Sequence, residues 1–387
     1  MLSPVNRIIH ITPSYKPAFI YGGTTLSVSL LCEAQRKNGE QSVVFTTTAN
    51  GSQELPPSGR RPLKVTRVPV WYFQRLTGDH SHFSPGLLLK LYQSIGKKKT
   101  GTIVHIHAWW NLTSILSCVI VLICNTPCLL SPRGMLTGYT FSNRHNLSKQ
   151  IIHQLLGKYL LLRCHLHATT DKEKNDILSI LPRARITVIP NLVGNSKGMC
   201  KPVQTGNFHM LFLSRIEEKK GLEILFRALP VLNFRWTLTI AGTGNISYLK
   251  KLQVLADRSG LGTHINWAGQ VSGPAKQKLL SESHLLVLFS LNENFANIIT
   301  ESLSYGLPVA ISDQVGLAEY VKKENLGWVC TPEQKAIANT LTQAFNSNWQ
   351  RMRISKEAPH KIQHDFSSAL LLPRYARLYQ SLYKPHP

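Results

Sequence analysis

The sequence predicts an α/β protein built from two open parallel sheets, each flanked by helices. Three observations predict it. The chain has 387 residues, 43% hydrophobic and 17% charged, which is ample apolar material for burial and more length than one core usually organises. Short β-branched runs alternate with longer amphipathic stretches, the pattern of βαβ units. Between Asn191 and Gly206 the chain carries Gly, Pro, Lys and Ser without hydrophobic period, which marks a connection between two such series. The expected organisation is a first α/β domain over 1–191, a linker over 192–206, a second α/β domain over 207–365, and a helical tail over 366–387 that packs back on the first domain.

Each element follows from its local pattern. Arg7 to Thr12 reads as a strand that ends in a polar, Pro-containing loop; Gly23 to Asn38 reads as a helix stopped by Gly39, and Ser42 to Thr47 as the next strand. Strands are expected over Val65–Val70, Ile103–His107, Cys128–Ser131, Leu166–Thr169 and Ile186–Ile189. The second series opens with a strand over His209–Ser214 and a helix over Gly221–Leu229. Strands over Thr237–Ala241, His264–Ala268, Leu285–Phe289 and Pro308–Ile311 follow, with helices between them. Phe366 to Tyr383 has apolar positions at helical spacing.

Composition narrows the classes of function. Lys and Arg number 44 against 20 Asp and Glu, a net charge of +24, which favours acidic partners such as phosphorylated substrates, anionic lipid or nucleic acid. Residues 1–190 hold 22 basic and 7 acidic side chains and the remainder 22 and 13, so the excess lies mainly in the first half. No recognition helix, zinc finger or aromatic single-strand platform accompanies the charge, so nucleic acid is not an expected partner. No Gly-x-Gly-x-x-Gly follows the first strand, against a dinucleotide oxidoreductase. Leu112 to Ser131 is interrupted by Asn125, Thr126 and Pro127, too broken for a membrane span. Met1 to Tyr15 lacks the layout of a secretion signal, so a cytoplasmic location is expected. Ile151 to Cys164 is apolar with Lys149, Lys158 and Arg163 on other faces. It fits a core-facing helix with a basic edge, and also a helix lying on an anionic membrane surface. Seven dispersed cysteines suit reduced thiols better than a disulfide framework. Cys124 and Cys128 have metal-compatible spacing without a second pair, so no metal is expected. The sequons at Asn111, Asn146 and Asn245 read as chance matches.

Strand-end loops are where open sheets bind ligands, and several here carry chemistry. Glu293 and Glu301 are separated by seven residues, with Glu293 in the loop after the Leu285 strand and Glu301 on the first turns of the next helix. Free N–H groups at that helix start suit anionic or hydroxyl-bearing ligands, and a carboxylate accepts from two adjacent hydroxyls at once. Arg215 and Lys220, with Lys219 competing for the second role, follow the His209 strand. Fixed cations there stabilise charge that develops on a leaving diphosphate. Gly22 and Gly23 allow close approach of backbone to a pyrophosphate.

With these residues in place, the second half resembles the nucleotide-sugar-binding domain of family 4 glycosyltransferases, a retaining group with the GT-B fold. The resemblance rests on the E-x7-E pair followed by Gly306-Leu307-Pro308, on Ser214-Arg215-Ile216-Glu217-Glu218-Lys219-Lys220-Gly221, and on Ala241-Gly242-Thr243-Gly244. Tyr21-Gly22-Gly23 is similar to the N-terminal glycine loop. His105 to Asn111, Ser131 to Leu136 and Val188 to Asn191 resemble the branch that assembles bacterial surface polysaccharides. The resemblance implies two Rossmann-like domains facing a central cleft, the first binding acceptor and the second the nucleotide sugar. It implies that Glu301 binds the ribose, that Glu293 binds a sugar hydroxyl, and that Asn294, Phe295, Ala296 and Asn297 meet the sugar or diphosphate through backbone amides. Gly242 and Gly244 join the donor site, His107 lies near the transferred sugar, and Arg133 contacts an acceptor phosphate or the diphosphate.

One departure stands out. The family commonly has Glu-Gly-Phe-Gly where this chain has Glu293-Asn294-Phe295-Ala296, so a methyl occupies a position where backbone freedom is usual. The expected activity is a metal-independent, cofactor-free transfer, with retention, from a nucleoside-diphosphate sugar to a lipid-linked saccharide at the inner face of the cytoplasmic membrane. A competing expectation is a GT-B-like binding protein without catalysis.

Overall fold

The computed structural model describes residues 5–96, 101–138, 156–194 and 206–383. It divides into two compact units, Met1–Leu192 with Ser368–Pro387, and Val193–Ser367. Residues 195–205 of the expected linker, Ile151 to Leu155 of the basic apolar segment, Asn146 and Cys200 lie outside the described residues.

The first unit runs β1 (Arg7–Thr12), α1 (Gly23–Lys37), β2 (Ser42–Thr47), β3 (Leu63–Val65), β4 (Val68–Phe73), α2 (Pro85–Ile95), β5 (Thr102–His107), α3 (Leu112–Ile123), β6 (Cys128–Ser131), α4 (Lys158–Arg163), β7 (His165–Ala168), α5 (Asp171–Ile180) and β8 (Ile186–Val188). Its eight strands lie in the order β3-β4-β2-β1-β5-β6-β7-β8. All pairs are parallel except β3 with β4. The single strand expected over Val65–Val70 is in fact the end of β3, a turn, and the start of β4. Thr66 and Arg67 make that turn with φ of 44° and 71°, and because neither is Gly, Asn or Asp the usual hairpin signal is missing.

Alternation along the strands separates two faces. Ile9, Ile11, Val104, Ile106, Leu130 and Leu166 share a fully buried apolar cluster with Leu87 and Leu91 of α2 and Cys118 of α3. Each such side chain stabilises the fold by about 1.5–3 kcal/mol on burial. The opposite face is mixed. Ile8, Ile103 and Leu129 are apolar and pack on α1 and the C-terminal helix, whereas His10, His105, His107, Ser131 and His167, nearer the carboxyl ends, are polar and buried.

The second unit runs β9 (Phe208–Leu213), α6 (Leu222–Ala228), β10 (Trp236–Ala241), α7 (Ile246–Arg258), β11 (Ile265–Gly269), α8 (Gly273–Glu282), β12 (Leu285–Leu288), α9 (Asn297–Ser304), β13 (Val309–Ser312), α10 (Ala318–Lys323), β14 (Gly327–Cys330), α11 (Gln334–Asn346) and α12 (Asn348–Asp365). Its six strands are parallel in the order β11-β10-β9-β12-β13-β14. The edge strand β14 escapes the sequence reading because it is four residues long and opens on glycine. The chain then returns to the first unit as α13 (Ser368–Tyr383), which buries Leu371, Leu372, Tyr375, Leu378 and Tyr379.

Capping residues account for two of the sequons. Asn111 accepts from the Ser114 N–H at the start of α3, and Asn245 accepts from the Ser247 and Tyr248 N–H groups at the start of α7, each satisfying helix donors that have no partner within the helix.

Strand order reverses between β1 and β5 in the first sheet and between β9 and β12 in the second. At such a reversal the following helices go to opposite faces and leave a crevice at the strand ends. The loops at these two reversals position the candidate site residues.

Candidate active site

In the second unit the loop after β9 and the loop after β12 are locked together by backbone. The Leu291 N–H donates to the Lys219 carbonyl at 2.8 Å. Gly221 has φ +74°, and a Cβ there would lie 2.0 Å from the Phe289 carbonyl oxygen, so only glycine permits this approach. Glu293 is fixed on its other side: its N–H donates to the Gln314 carbonyl at 3.2 Å and its carbonyl accepts from Gly316 at 3.0 Å.

This scaffold brings Lys220 onto Glu293, whose carboxylate accepts directly from the ammonium. Lys220 is 6% exposed. Burial pushes the Glu293 carboxyl up, but Lys220, reinforced by Lys219 and Arg215, outweighs that and holds it below the ordinary carboxylate range. Burial, and then repulsion from Lys220, lowers the Lys219 ammonium. Lys219 and Arg215 share Glu217, at 3.5 and 2.7 Å, and the Arg215 side chain is half exposed. The result is a loop of three cations, with Lys220 against Glu293 and the half-exposed Arg215 guanidinium paired with Glu217.

Glu301 projects from α9 and accepts from Lys276 of α8 at 2.6 Å. Lys276 is a partner that the sequence reading did not single out. Phe295 is buried and meets Phe366 edge-on at 5.8 Å, so its side chain is a core anchor and only its backbone is available to a ligand. Ala296 precedes α9 in the left-handed region, with φ +57° and ψ +73°. Asn297 opens the helix, and Asn294 is half-buried in the preceding turn. Gly242 and Gly244 are explained by packing of loops: a Cβ on either would lie 1.8 Å from the Ser214 carbonyl oxygen or 2.0 Å from that of Ile216. The Ile216 N–H in turn donates to Thr243 at 2.8 Å.

In the first unit, Gly22 has φ +73° and ψ −138° and turns the chain into α1, which begins at Gly23. His107 ends β5 and is fully buried. Its Nδ1 lies 3.2 Å from Nη2 of Arg133, and its Nε2 lies 3.0 Å from Nδ1 of His10. Arg133 and Gly134 both have positive φ, 58° and 74°, and Nη1 of Arg133 donates to Asn191 at 2.6 Å. Among the described residues, no carboxylate lies within ion-pair distance of this guanidinium. Glu173, buried nearby, accepts instead from Gly134 N–H and from the N–H and hydroxyl of Thr169.

The histidine cluster extends beyond His107. His10 meets Gln35, Gln35 meets Tyr379, Tyr379 meets His105, and Ser131 bridges His105 to His167. Burial lowers all four imidazoles, aided by the Arg133 charge: His10 to about 4, His167 to about 3, and His105 and His107 well below the usual value, those two also through neighbouring histidines. Nitrogens of His10, His105 and His107 come within 4.8 Å of one another. Every one of them is already engaged in a hydrogen bond, and a guanidinium stands against His107, so the donor set fits a neutral polar core and not a cation site. Of these four histidines, only His107 is expected from the sequence to lie at the site. The His-x-His spacing at 105–107 and 165–167, which puts the two rings of each strand on one sheet face, is the signal the sequence carries for His105 and His167.

Comparison with known proteins matches residues 201–361 to the family described as glycosyl transferases group 1, and residues 21–195 to that described as glycosyltransferase family 4. An uncharacterised glycosyltransferase of Methanocaldococcus jannaschii is 24% identical over 361 residues, which cover 86% of this chain and 87% of that protein. The structure of Anabaena HepE in complex with UDP and glucose superposes with a TM-score of 0.73 at 19% identity, over 97% of this chain and 99% of that one. WaaG, a glycosyltransferase involved in lipopolysaccharide biosynthesis, superposes with a TM-score of 0.70 at 15% identity, over 96% and 99%.

Three outcomes follow from this geometry. Lys220→Met leaves a half-buried carboxylate without its buried partner and is expected to cost about 3 kcal/mol in urea unfolding, whereas Lys220→Met combined with Glu293→Gln costs less than the two single changes added. Ala296→Gly relieves a left-handed alanine at some cost in chain entropy, and a gain of about 0.5–1 kcal/mol is expected in the same assay; a loss of that size would contradict the strain. For His10 the ordinary value is 6.5 and the folded value about 4, so the unfolded chain binds the extra proton. Melting of the first unit should therefore fall as pH is lowered from about 6.5 toward 4. Glu293 acts with the same sign in a lower window, its stability present above its unfolded value of 4.5 and lost only below it, so the loss between pH 6.5 and 5 belongs to the histidines.

Proposed function

The chain belongs to the group 1 glycosyl transferases and has their GT-B fold, and from that premise we propose that it moves a sugar from a nucleoside-diphosphate donor to a saccharide acceptor. The observation that carries this reading is the Lys220–Glu293 pair at the reversal of the second sheet, with Arg215 and Lys219 on the same loop. Cations at the carboxyl ends of parallel strands, beside an acid kept ionised, suit a ligand that is a diphosphate at one end and a polyol at the other.

In this reading the second unit holds the donor and the first the acceptor. The anomeric carbon–oxygen bond breaks, and the departing diphosphate gains negative charge. Arg215 and Lys220 stabilise that charge as it develops. The acceptor hydroxyl bonds to the anomeric carbon on the face the diphosphate leaves, so configuration is retained, and its proton passes to a phosphate oxygen. Glu293 accepts from sugar hydroxyls and positions; it does not attack. Both carboxylates already sit against lysines, unlike a hydrolase pair set across a scissile bond. Glu301 takes the ribose and backbone at 294–297 and at Gly242 and Gly244 borders the donor, while Gly22, Gly23 and His107 keep the roles that the family resemblance implies for them.

The acceptor we propose is a lipid-linked saccharide in assembly of a bacterial surface polysaccharide. The resemblance of the His105, Ser131 and Val188 segments supports that branch, as does likeness to WaaG. No helix among the described residues is long and apolar enough to cross a membrane, and the net charge of +24 suits peripheral contact with anionic lipid.

A panel of UDP-, GDP-, ADP- and TDP-sugars should contain one nucleotide class that raises the melting temperature, by a few degrees at saturating ligand. With that donor, Arg215→Ala is expected to lower turnover about 100-fold or more while donor affinity changes little. Unchanged turnover in Arg215→Ala would remove it from the chemistry, and a panel without any stabilising nucleotide would overturn the reading.

A further inference from the structure

The hydrogen bonds beneath the carboxyl ends of β1, β5, β6 and β7 admit one assignment of protons. Arg133 can only donate and the Ile189 carbonyl can only accept, so both ends are fixed. Working from Arg133, Nη2 donates to Nδ1 of His107, which therefore carries its proton on Nε2 and donates to Nδ1 of His10. His10 then donates from Nε2 to Oε1 of Gln35 at 2.8 Å, an oxygen that also accepts the Ser42 hydroxyl. Working from the far end, His167 donates from Nε2 to Ile189 at 2.8 Å, and its Nδ1 accepts from the Ser131 hydroxyl at 2.6 Å. Ser131 accepts from Nε2 of His105, whose Nδ1 accepts from the Tyr379 hydroxyl at 2.9 Å. Tyr379 accepts from the Gln35 amide nitrogen at 3.2 Å. The two paths meet at Gln35 and require the same orientation of its amide, so every bond in the chain points away from Arg133.

The Arg133 end has the character of an anion site left open. Its guanidinium rests on two neutral acceptors, His107 and Asn191. Its Nε is buried without a hydrogen-bond partner among the described residues, and the nearby Glu173 carboxylate is taken up by Gly134 and Thr169. A guanidinium held this way keeps its charge uncompensated, and its remaining donors suit a phosphate oxygen.

We infer that His10 and Gln35 are positioning residues for Arg133: through His107 they present a bare Nδ1 lone pair that holds the guanidinium in place for an anionic group, a phosphate of the ligand bound by this unit. The inference rests on the reading of the loop after β6 as part of the ligand site. Reversing the tautomer of His107 would set an N–H against the Arg133 N–H groups at the 3.2 Å contact and displace them. On the far side the Gln35 amide nitrogen donates to Tyr379, while the Ser42 hydroxyl holds Oε1 in place independently of that contact.

Gln35→Glu tests this with one atom changed. A carboxylate only accepts, so His10 beside it is expected to hold protons on both nitrogens, to donate to Nε2 of His107, and to drive the proton of His107 onto Nδ1. Imidazole ¹⁵N spectra of the full chain at neutral pH should show His10, His105, His107 and His167 as neutral Nε2–H rings in the wild type. They should show a doubly protonated His10 and an Nδ1–H His107 in Gln35→Glu. Inorganic pyrophosphate, followed at the Arg133 Nε–H signal assigned by its loss in Arg133→Lys, should bind about tenfold or more weakly in Gln35→Glu. Tyr379→Phe disturbs the same core beyond Gln35 and should leave His107 and pyrophosphate affinity unchanged, which a general loss of packing would not do. An Nδ1–H or charged ring among the four in the wild type overturns the assignment whether or not the variant folds. So does a folded Gln35→Glu that binds pyrophosphate at Arg133 as tightly as the wild type. Pyrophosphate that never perturbs Arg133 in the wild type would overturn the anion site itself, while the spectra judge the direction of the chain separately, and neither result bears on donor binding in the second unit.

Discussion

A buried ammonium needs a negative charge against it, and around Lys220 that requirement organises the second unit. The lysine lies on the loop that leaves β9 and its partner Glu293 on the loop that leaves β12, neighbouring strands on which the chain reverses its direction of growth. Backbone bonds from Leu291 and the absence of a side chain at Gly221 set the distance between the loops. Desolvating such a pair is costly and is offset only when geometry is good, so its stabilising effect is modest. What it supplies is placement: a lysine and an acid with little freedom to wander, at the place in an open sheet where a ligand enters.

The first unit meets the same requirement without charge. Its sheet buries a row of imidazoles under α1 and α13, and each nitrogen finds a partner. A buried polar network is stabilising only when complete. The histidines tolerate burial because they remain neutral, and they remain neutral because burial and Arg133 both oppose a second proton. The two units thus share a plan of strands and differ in how polar groups are satisfied at the strand ends.

Much of this was legible in the residues. Alternating apolar runs located the strands β1, β2, β5 and β6 and the series from β9 to β13, because parallel strands covered on both faces read as short continuous hydrophobic segments. The Lys220–Glu293 association was anticipated only as two roles in one site; that they would touch depends on strand order, which period does not encode. The hairpin at Thr66 and Arg67 was hidden because positive φ there is imposed by pairing of β3 with β4 and not by a permissive residue. Gln35 and Tyr379 were invisible for another reason. They lie 344 positions apart, and nothing local in either helix distinguishes a buried amide or phenol from an ordinary one on a solvated face.

The return of α13 to the first unit makes that unit discontinuous in sequence. Tyr375 and Tyr379 close a core that opens with Ile8, so while the chain is being synthesised the earlier half stands with one wall missing until residues 193–367 have emerged. At about 5–20 residues per second that interval is on the order of 10–35 s. The later half, by contrast, is contiguous and can collapse as it leaves the ribosome. For this molecule the half made first is the half finished last.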